Sequence, residues 1–463
     1  MILDYLVIGG GPSGLLVHNE LFRYKNGILV ESGTFIPTKT KDIYSKKQIL
    51  HGYKFSGLNV LFGNPPLHLS EGNCVGGGSA VNSSLHHRAP EHIWSKWRMI
   101  HQLEGFSSKH VSSLYEEVEE IFNLSTSEKD FPSFYKFASE KYNVERIPRW
   151  GKDNSNEDFQ RETAFDVVKK QNPEITKSIK NNHRVISIKK VSEELFEIYC
   201  KVKSEELSRV KKFKAKNLFI CAGAGNSPII LSKLGYKHNN LGRFQVHPTA
   251  RVTLVSKKTS YSKDVVEPFQ ITEFLPYLMI GSSPNREYLS ELNFPYRSNN
   301  GIDFSKCINL YSMAPSENRG RTFLKGPASG FRTYQLDNNA RKIISRGLKI
   351  IIQCALDSKE YSHIYSPAGL IDLSSNKTIK FKNFINSTIN KTLSSVHIFS
   401  SAAAGGNRKL CPVNSDGSIP GISNVFLIDS SLIPTCPTVN PQATTSVFAL
   451  SLVRKLIQEN RIK

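Results

Sequence analysis

The sequence predicts an α/β fold that continues into a β-rich region. Three observations carry this prediction: an apolar strand near the N-terminus runs into a glycine cluster, a helical segment and a second apolar strand follow directly, and strand-like segments dominate the middle of the chain. A strand, a glycine turn and a helix in this order are typical of a Rossmann-type nucleotide-binding unit. We therefore expect a Rossmann-type domain joined to a second domain built on a sheet.

Each element follows from the spacing of apolar residues. Residues 6–8 predict a buried strand, and the glycine turn leads from it into a helix. Apolar side chains at i, i+4 and i+7 predict a helix over residues 110–122. The same reading predicts a helix over 15–24, a strand over 28–30, short strands over 184–220 and 247–335, and helices over 339–356 and 444–458.

The glycine turn is the first candidate binding site. Gly9, Gly11 and Gly14 satisfy the G-x-G-x-x-G spacing, with Pro12 and Ser13 inside it. The first glycine allows the tight turn, the second lets backbone approach a pyrophosphate, and the third lets helix and strand pack closely. Because the following helix begins with free N–H groups, the segment predicts a dinucleotide site. A glycine turn that serves packing alone is the alternative.

The end of the second strand carries Glu31 and Ser32. A carboxylate at this place accepts hydrogen bonds from a ribose diol and repels a 2′-phosphate, so NADP is not expected here. The loop alone does not separate FAD from NAD. Its position near residue 1, with further strands of the sheet expected much later in the chain, favours FAD.

Composition limits the classes of function. The chain has 463 residues, of which 39% are hydrophobic and 22% charged, so it can build a core and is not disordered as a whole. The formal charge is +21, but Lys and Arg are dispersed. The densest basic run, residues 209–216, alternates as a solvated strand does, and phosphate binding is its weaker interpretation. Since no RNA- or DNA-binding module is recognisable, we expect no nucleic-acid partner.

The seven cysteines are scattered and include no C-x-x-C pair, so we expect no metal site and a reducing, cytoplasmic location. No apolar run reaches the roughly 18 residues that a membrane-spanning helix needs. The first residues have the pattern of a strand and lack the layout of a signal peptide. We therefore expect no transmembrane segment.

Four further segments resemble motifs of the glucose-methanol-choline (GMC) oxidoreductase family. They are residues 75–82, residues 223–231, His397 ahead of the small-residue loop 400–406, and residues 425–435 with the adjoining block 440–444. The resemblance implies an FAD-dependent enzyme with two domains. The FAD-binding domain would be discontinuous, assembled from residues 1–130, 180–246 and 395–463, and residues 131–179 and 247–394 would form the substrate-binding domain.

The resemblance also places residues against the FAD. A run of glycines lets backbone approach a flat ring, and Asn82 offers a donor and an acceptor to its polar edge. Asp429 would bond sugar hydroxyls of the cofactor, with a helix cap as its alternative role. The residues that the resemblance places at the FAD are Gly76, Gly77, Gly78, Ser79, Asn82, Val185, Ala222, Gly223, Asp429, Asn440 and Pro441.

His397 and Asn440 occupy the two active-site positions of the family. Imidazole titrates near working pH, so His397 is expected to take the hydroxyl proton as general base. Asn440 takes up no proton at neutral pH and is expected to hold the hydroxyl or developing alkoxide by a hydrogen bond. Its alternative is a turn residue before Pro441.

Several positions depart from the family pattern, among them Gly78, which replaces the usual first serine, and Leu234, which stands where a serine precedes Gly235. Members that attach FAD covalently often use a histidine where this chain has Val81, so we expect non-covalent FAD. Ser400 stands where the family usually has glycine, three residues after His397.

The predicted function is FAD-dependent oxidation of a primary or secondary alcohol, such as a sugar, polyol or sugar derivative, to an aldehyde or ketone. The positive charge modestly favours an anionic alcohol over a long apolar one. The electron acceptor, and with it the choice between oxidase and dehydrogenase, stays open. Two alternatives remain: a redox-silent flavin-containing lyase of the same fold, and a non-catalytic flavoprotein that binds RNA or a protein partner.

Overall fold

The computed structural model of the protein describes residues 1–36, 45–128, 130–152, 159–203, 209–261, 268–283, 303–374 and 378–462. The strands in chain order are β1 (Leu3–Ile8), β2 (Gly27–Val30), β3 (Val60–Leu61), β4 (Leu67–Leu69), β5 (Leu124–Ser125), β6 (Val144–Arg146), β7 (Arg149–Lys152), β8 (Gln160–Arg161), β9 (Ile179–Lys180), β10 (His183–Ser192), β11 (Leu195–Val202), β12 (Arg209–Ile220), β13 (Arg243–Val246), β14 (Thr249–Ser256), β15 (Phe269–Ile271), β16 (Met279–Ser283), β17 (Cys307–Met313), β18 (Gly320–Thr322), β19 (Arg332–Thr333), β20 (Tyr361–Ser366), β21 (Gly369–Asp372), β22 (Ser394–Ser395), β23 (Ile398–Phe399), β24 (Ser418–Ile419) and β25 (Ile422–Leu427).

The α-helices are α1 (Pro12–Phe22), α2 (Lys46–Gly52), α3 (Gly78–Val81), α4 (Glu91–Ile100), α5 (Ser108–Ile121), α6 (Ser133–Ala138), α7 (Ala164–Gln171), α8 (Ile175–Ser178), α9 (Ser227–Lys233), α10 (Asn338–Ser358), α11 (Thr378–Thr392) and α12 (Gln442–Gln458). Short 3-10 helices span Lys54–Gly57, Phe304–Lys306 and Ser430–Leu432. No helix in the described ranges is both long and apolar enough to cross a membrane.

The first large sheet has a parallel centre in the order β25-β12-β1-β2-β9. Leu6 of β1 stands in register with Leu218 of β12 on one side and with Ile28 of β2 on the other. The long strand β12 changes partners, because its first half pairs antiparallel with β11 and its last three residues run parallel to β25. This sheet therefore unites strands from both ends of the chain.

Helices cover the first sheet. Pro12 begins α1, where its fixed φ and missing N–H suit the first helical turn. The C-terminal α12 packs against α1 and α5, and α7 packs against α1. The basic run 209–216 lies on β12 with its first residues exposed, and Lys212 and Lys214 approach the Glu197 carboxylate at 3.2 and 3.4 Å. The run is a solvated strand, as predicted.

The second large sheet is centred on β14 and β17 and has the order β3-β4-β22-β14-β17-β16-β15-β6, with β20 also paired to β14. One side is covered by α10, which packs on β14 and β17 and against α11. The Asp337 side chain caps α10 by accepting from the Ala340 N–H at 2.6 Å. The α11 helix has no counterpart among the sequence-based predictions, and its apolar residues are hidden among Lys, Asn and Thr.

Two separate hydrophobic clusters lie under the two sheets. Residues 131–179 contribute to both, because Phe134 and Tyr135 pack in the second cluster while Trp150 and Val168 pack in the first. The domain boundaries placed at 131 and 180 stay predictions, and this segment is the part that the two clusters share.

Candidate active site

A cavity of about 1420 Å³ is lined by residues of both large sheets. The residues that face it from the first sheet and its connections form what we call the glycine wall, which comprises residues 9, 11–13, 31–32, 77–78, 81–82, 222–223 and 429. Those that face it from the second sheet form the sheet wall, which comprises Thr249, Arg251, Ser282, Ser283, Asn309, Tyr311, Met313 and the adjoining His397. The cavity thus opens at the carboxyl ends of β1 and β12, where ligands of α/β sheets bind.

The glycine turn has a different requirement at each glycine. Gly9 has φ of 110°, and a Cβ there would lie 2.3 Å from the carbonyl oxygen of Cys221. A Cβ on Gly14 would lie 1.9 Å from the carbonyl oxygen of Gly9. Gly11 has no atom within 4 Å of the same position and faces the cavity. The outer two glycines are therefore needed for packing, and the middle one leaves room for a ligand.

A second glycine segment supports the first. The Gly76 N–H donates to the carbonyl of Gly10 at 2.8 Å, and a Cβ on Gly77 would lie 2.6 Å from Cα of Gly11. Gly78 opens α3 and has free space around it. The two segments pack backbone to backbone and present one continuous surface to the cavity.

The Asn82 amide is held by the protein. Its nitrogen donates to Oε1 of Gln442, and its oxygen accepts from the Ser84 N–H at 3.0 Å. The Arg161 guanidinium donates to the backbone carbonyls of Asn82 and Ala80, which fixes the end of α3. The Gln442 amide nitrogen is buried, and no partner for it occurs in the described part of the chain.

Glu31 is buried at the end of β2 and lines the cavity. Its two carboxylate oxygens accept from the N–H groups of Gly10 at 2.7 Å and Gly33 at 2.8 Å. Burial raises the pKa of Glu31, and these N–H groups act in the opposite direction. The neighbouring Ser32 donates its hydroxyl to the Asn73 side chain at 2.7 Å.

Asp429 joins two loops. One carboxylate oxygen accepts from the Ser431 N–H at 2.8 Å, and the other accepts from the Gly223 N–H at 2.8 Å and from the Ser227 hydroxyl. Asp429 thus caps the 3-10 helix, which was the alternative role expected for it, and it also lines the cavity. Burial raises the pKa of this carboxyl.

His397 belongs to a chain of side chains. Its Nδ1 lies 3.0 Å from Nδ1 of His247, whose Nε2 lies 2.9 Å from Sγ of Cys436. The Ser395 hydroxyl binds the backbone of His397: it accepts from the His397 N–H at 3.1 Å and donates to the His397 carbonyl at 2.9 Å. Within the described residues, no group bonds Nε2 of His397, and the residue lines the cavity. This nitrogen is the one that can meet a ligand.

Burial lowers the pKa of His397 to about 3, with further contributions from His87 and Arg251. The pKa of His247 is also lowered well below the ordinary value by burial and by His397. Both imidazoles are therefore neutral at pH 7, so one of the two Nδ1 atoms donates and the other accepts.

Most of the predicted site residues meet at this cavity. The predicted residues that line it are Gly9, Gly11, Pro12, Ser13, Glu31, Ser32, Gly77, Gly78, Asn82, Val185, Ala222, Gly223, His397, Asp429, Asn440 and Pro441. Gly14, Gly76 and Ser79 are not among the lining residues. Ser79 is buried behind the wall, where its hydroxyl donates to the Gly76 carbonyl at 2.7 Å and accepts from the Ala164 N–H at 3.0 Å. These three residues shape the wall and leave the contact surface to their neighbours.

The sequence reasoning missed the residues of the sheet wall other than His397 and also missed Arg161, His247 and Gln442. Among these, Arg161, His247, Arg251 and Gln442 form hydrogen bonds with other residues of the site. Gln442 stands inside the recognised block 440–444, so a signal for it existed. The other three lie in segments with no glycine or motif around them. Arg319 donates to the backbone carbonyls of Ser400 and Pro434.

The residues present fit FAD. Gly11, Gly78 and Gly223 each leave open space where a side chain would project. The Gln442 amide nitrogen has a hydrogen to donate, and the first turn of α1 directs backbone N–H groups toward the cavity. In the described part of the chain no cluster of His, Cys, Asp or Glu could hold a metal ion.

Comparison with known proteins bears on the whole chain. Two family models described as GMC oxidoreductase match it, the N-terminal one over residues 3–249 and the C-terminal one over residues 332–449. An uncharacterized GMC-type oxidoreductase, y4nJ of Sinorhizobium fredii (strain NBRC 101917 / NGR234), is 24% identical over 99% of this chain and 95% of its own length. The long-chain-alcohol oxidase FAO4A of Arabidopsis thaliana is 21% identical over 96% of this chain and 67% of its own length.

Two solved structures share the fold. Pyridoxine 4-oxidase from Mesorbium loti superimposes with a TM-score of 0.74 at 14% identity, covering 98% of this chain and 99% of that one. Formate oxidase from Aspergillus oryzae RIB40, in a structure concerned with FAD modification, gives a TM-score of 0.76 at 13% identity, covering 100% and 99%. The predicted fold class and oxidoreductase class are confirmed, and the chain belongs to the GMC oxidoreductase family.

Proposed function

We propose that this protein oxidises a primary or secondary alcohol, such as a sugar, polyol or sugar derivative, to an aldehyde or ketone. The observation that carries the proposal is that His397, whose Nε2 has no partner in the described chain, lines the same cavity as the glycine wall. FAD is the cofactor of the family's flavoproteins, and when bound it supplies the hydride acceptor. The names of two relatives, a long-chain-alcohol oxidase and a pyridoxine 4-oxidase, support an alcohol-type substrate.

The glycine wall would hold the FAD without a covalent bond. Gly11 and the N-terminus of α1 would take the pyrophosphate, Glu31 the ribose, and Gly78 with Asn82 the polar ring edge. Val81 supplies no nucleophile at the position from which some members attach the cofactor. Acid precipitation checks this: the flavin should remain in the supernatant, and flavin in the pellet would contradict it.

His397 would act as the general base. Because its pKa is lowered to about 3 by burial, the imidazole carries a free lone pair throughout the neutral range. For that lone pair to sit on Nε2, the proton must reside on Nδ1, and His247 is placed to accept it. His247 would then donate from Nε2 to Cys436, whose burial raises its pKa to about 12. The hydrogen bonds from His397 to His247 and from His247 to Cys436 would therefore select the tautomer of His397 that has its proton on Nδ1.

The hydroxyl proton would pass to Nε2 of His397 as the carbon that bears this hydroxyl gives up its hydride to the bound flavin. Asn440 lines the cavity and would orient the hydroxyl through its amide. We place the enzyme in the cytoplasm, and the seven free thiols support that placement.

An anaerobic screen tests this function. Purified holoenzyme is mixed with sugars, polyols, sugar phosphates and nucleotide sugars, and bleaching of the flavin absorbance is recorded. At least one alcohol should bleach the flavin, and admission of air then separates oxidase from dehydrogenase by the rate of reoxidation. If no alcohol reduces the flavin while a substrate is still cleaved, the protein is a redox-silent lyase. Steeply salt-dependent RNA binding without turnover would favour a binding protein.

A further inference from the structure

Arg251 is a partly buried cation with neutral partners. It lies on β14, and its guanidinium donates from Nε to the Ser283 hydroxyl at 3.0 Å and from Nη1 to the Ser394 hydroxyl. Within the described ranges, no carboxylate forms an ion pair with it. Arg332 shows the contrast, since its guanidinium is paired with the Glu71 carboxylate. Burying a charge without an opposite charge is costly, and burial lowers the pKa of Arg251.

The guanidinium faces the part of the cavity where the base lies. Arg251 and His397 both belong to the sheet wall, and the charge of Arg251 contributes to the lowered pKa values of His397 and His68. Asn309 and Tyr311 on the neighbouring strand β17 also line this region. A molecule that presents a hydroxyl to His397 therefore places its other polar groups within the reach of Arg251.

The chemistry of guanidinium selects the ligand. It has five N–H donors in a rigid plane and matches the two oxygens of a carboxylate or a phosphate. Two of those donors are used by Ser283 and Ser394, and in the described chain nothing accepts from the Nη2 group. The serines hold the plane in one orientation and leave its charge uncompensated.

We propose that Arg251 binds an oxyanion carried by the substrate, so that the enzyme acts on alcohols bearing a carboxylate or a phosphate. This inference rests on the proposed alcohol oxidation only for the identity of the ligand. The anion site itself is a property of the sheet wall and is testable without turnover.

The first test is binding to the FAD-loaded enzyme by calorimetry, with butanoate, methyl phosphate and neutral butan-1-ol as probes. Wild type should bind at least one of the anions more tightly than butan-1-ol. Arg251→Gln should weaken anion binding about 10- to 100-fold and leave butan-1-ol unchanged, because a charge-assisted pair is lost. Arg251→Lys should retain part of the affinity. Lys391→Gln is the matched control, since Lys391 lines the cavity at its exposed rim.

The second test compares reduction of the flavin by matched alcohols. 4-Hydroxybutanoate should outperform butane-1,4-diol, or glycerol 3-phosphate should outperform glycerol, and Arg251→Gln should abolish the preference. The pair in which the anionic alcohol has the larger advantage over the neutral one shows whether the substrate carries a carboxylate or a phosphate. The proposal is overturned if neither anion binds wild type or if Arg251→Gln binds the anions with unchanged affinity. It is also overturned if Lys391→Gln loses as much anion affinity as Arg251→Gln does. Anion binding without alcohol oxidation would overturn the proposed function and leave the site standing.

Discussion

The charged groups on the two walls of the cavity have different kinds of hydrogen-bond partner. On the glycine wall, Glu31 receives N–H groups from Gly10 and Gly33, and Asp429 receives those of Gly223 and Ser431. On the sheet wall, the positive charge of Arg251 meets serine hydroxyls. On the glycine wall the backbone itself thus satisfies the carboxylates. On the sheet wall the charge of Arg251 is left for a ligand to neutralise.

The largest effect is expected at the glycine turn, where two neighbouring substitutions separate packing from binding. Gly9→Ala forces a side chain onto a positive φ and against the Cys221 carbonyl, so stability should fall by about 3 kcal/mol or more. Gly11→Ala meets no atom within 4 Å, so the fold should persist while FAD retention falls. Thermal unfolding and bound-flavin content measure the two effects. Equal loss of stability in both variants would contradict the assignment of Gly11 to binding.

Acid should destabilise the fold through histidines that stay neutral when buried. His18 of α1 bonds the Tyr5 and Ser178 hydroxyls, and burial lowers its pKa to about 3. The unfolded chain takes up this proton near pH 6.5, so stability is complete above that pH and falls below it. At pH 4.5 the loss from His18 alone is about 2–3 kcal/mol.

Denaturant unfolding of wild type and His18→Gln from pH 7.5 to 4.5 checks this contribution. The variant should lose less stability over this range than wild type, whatever its stability at pH 7.5. Parallel curves for the two proteins would show that His18 does not stay neutral in the folded state.

A smaller effect is expected at His247, which contacts the base His397 on the side of its Nδ1 atom. His247→Phe keeps a buried ring but removes the acceptor for Nδ1 of His397. Flavin reduction should slow about threefold to tenfold, the worth of one hydrogen bond, and its pH profile should change because the tautomer is no longer fixed. Cys436→Ser keeps an acceptor for His247 and should stay near wild type. An unchanged pH profile in His247→Phe would show that His247 contributes packing alone.

The smallest effect is expected at Ser400. This buried serine has φ of 64°, and no partner for its hydroxyl is found in the described chain. Glycine, which the family usually has here, adopts this conformation without strain, so Ser400→Gly should stabilise the protein by about 0.5–1 kcal/mol. Thermal unfolding measures it, and a destabilised variant would show that the hydroxyl is needed.

The sequence was informative where function depends on backbone. Gly9, Gly14 and Gly77 are visible in the sequence because close approach of backbone permits no side chain there. Gly11 and Gly78 are visible as well, and they leave open space at the cavity. The elements around them were also predicted, with α1, α5, α10 and α12 close to their observed bounds.

The sheet wall was not predictable in the same way. Arg251 lies on β14, whereas Asn309 and Tyr311 lie on β17, and only the antiparallel pairing of these strands makes Arg251 and Tyr311 neighbours. His247 meets His397 across 150 residues of chain, and a lone histidine in a strand-like segment carries no signal of that contact. Side-chain sites assembled by sheet register are invisible to motif reading when the register is unknown.

The most direct measurement of the central claim is the anaerobic reduction of bound flavin in His397→Ala, using an alcohol that reduces wild type. The variant should retain FAD, because His397 lies on the sheet wall, and its flavin should be reduced about 10²- to 10⁴-fold more slowly. His110→Ala, at a surface histidine of α5, is the control and should match wild type. Reduction of His397→Ala at a rate close to wild type would show that another group takes the proton and would contradict the account.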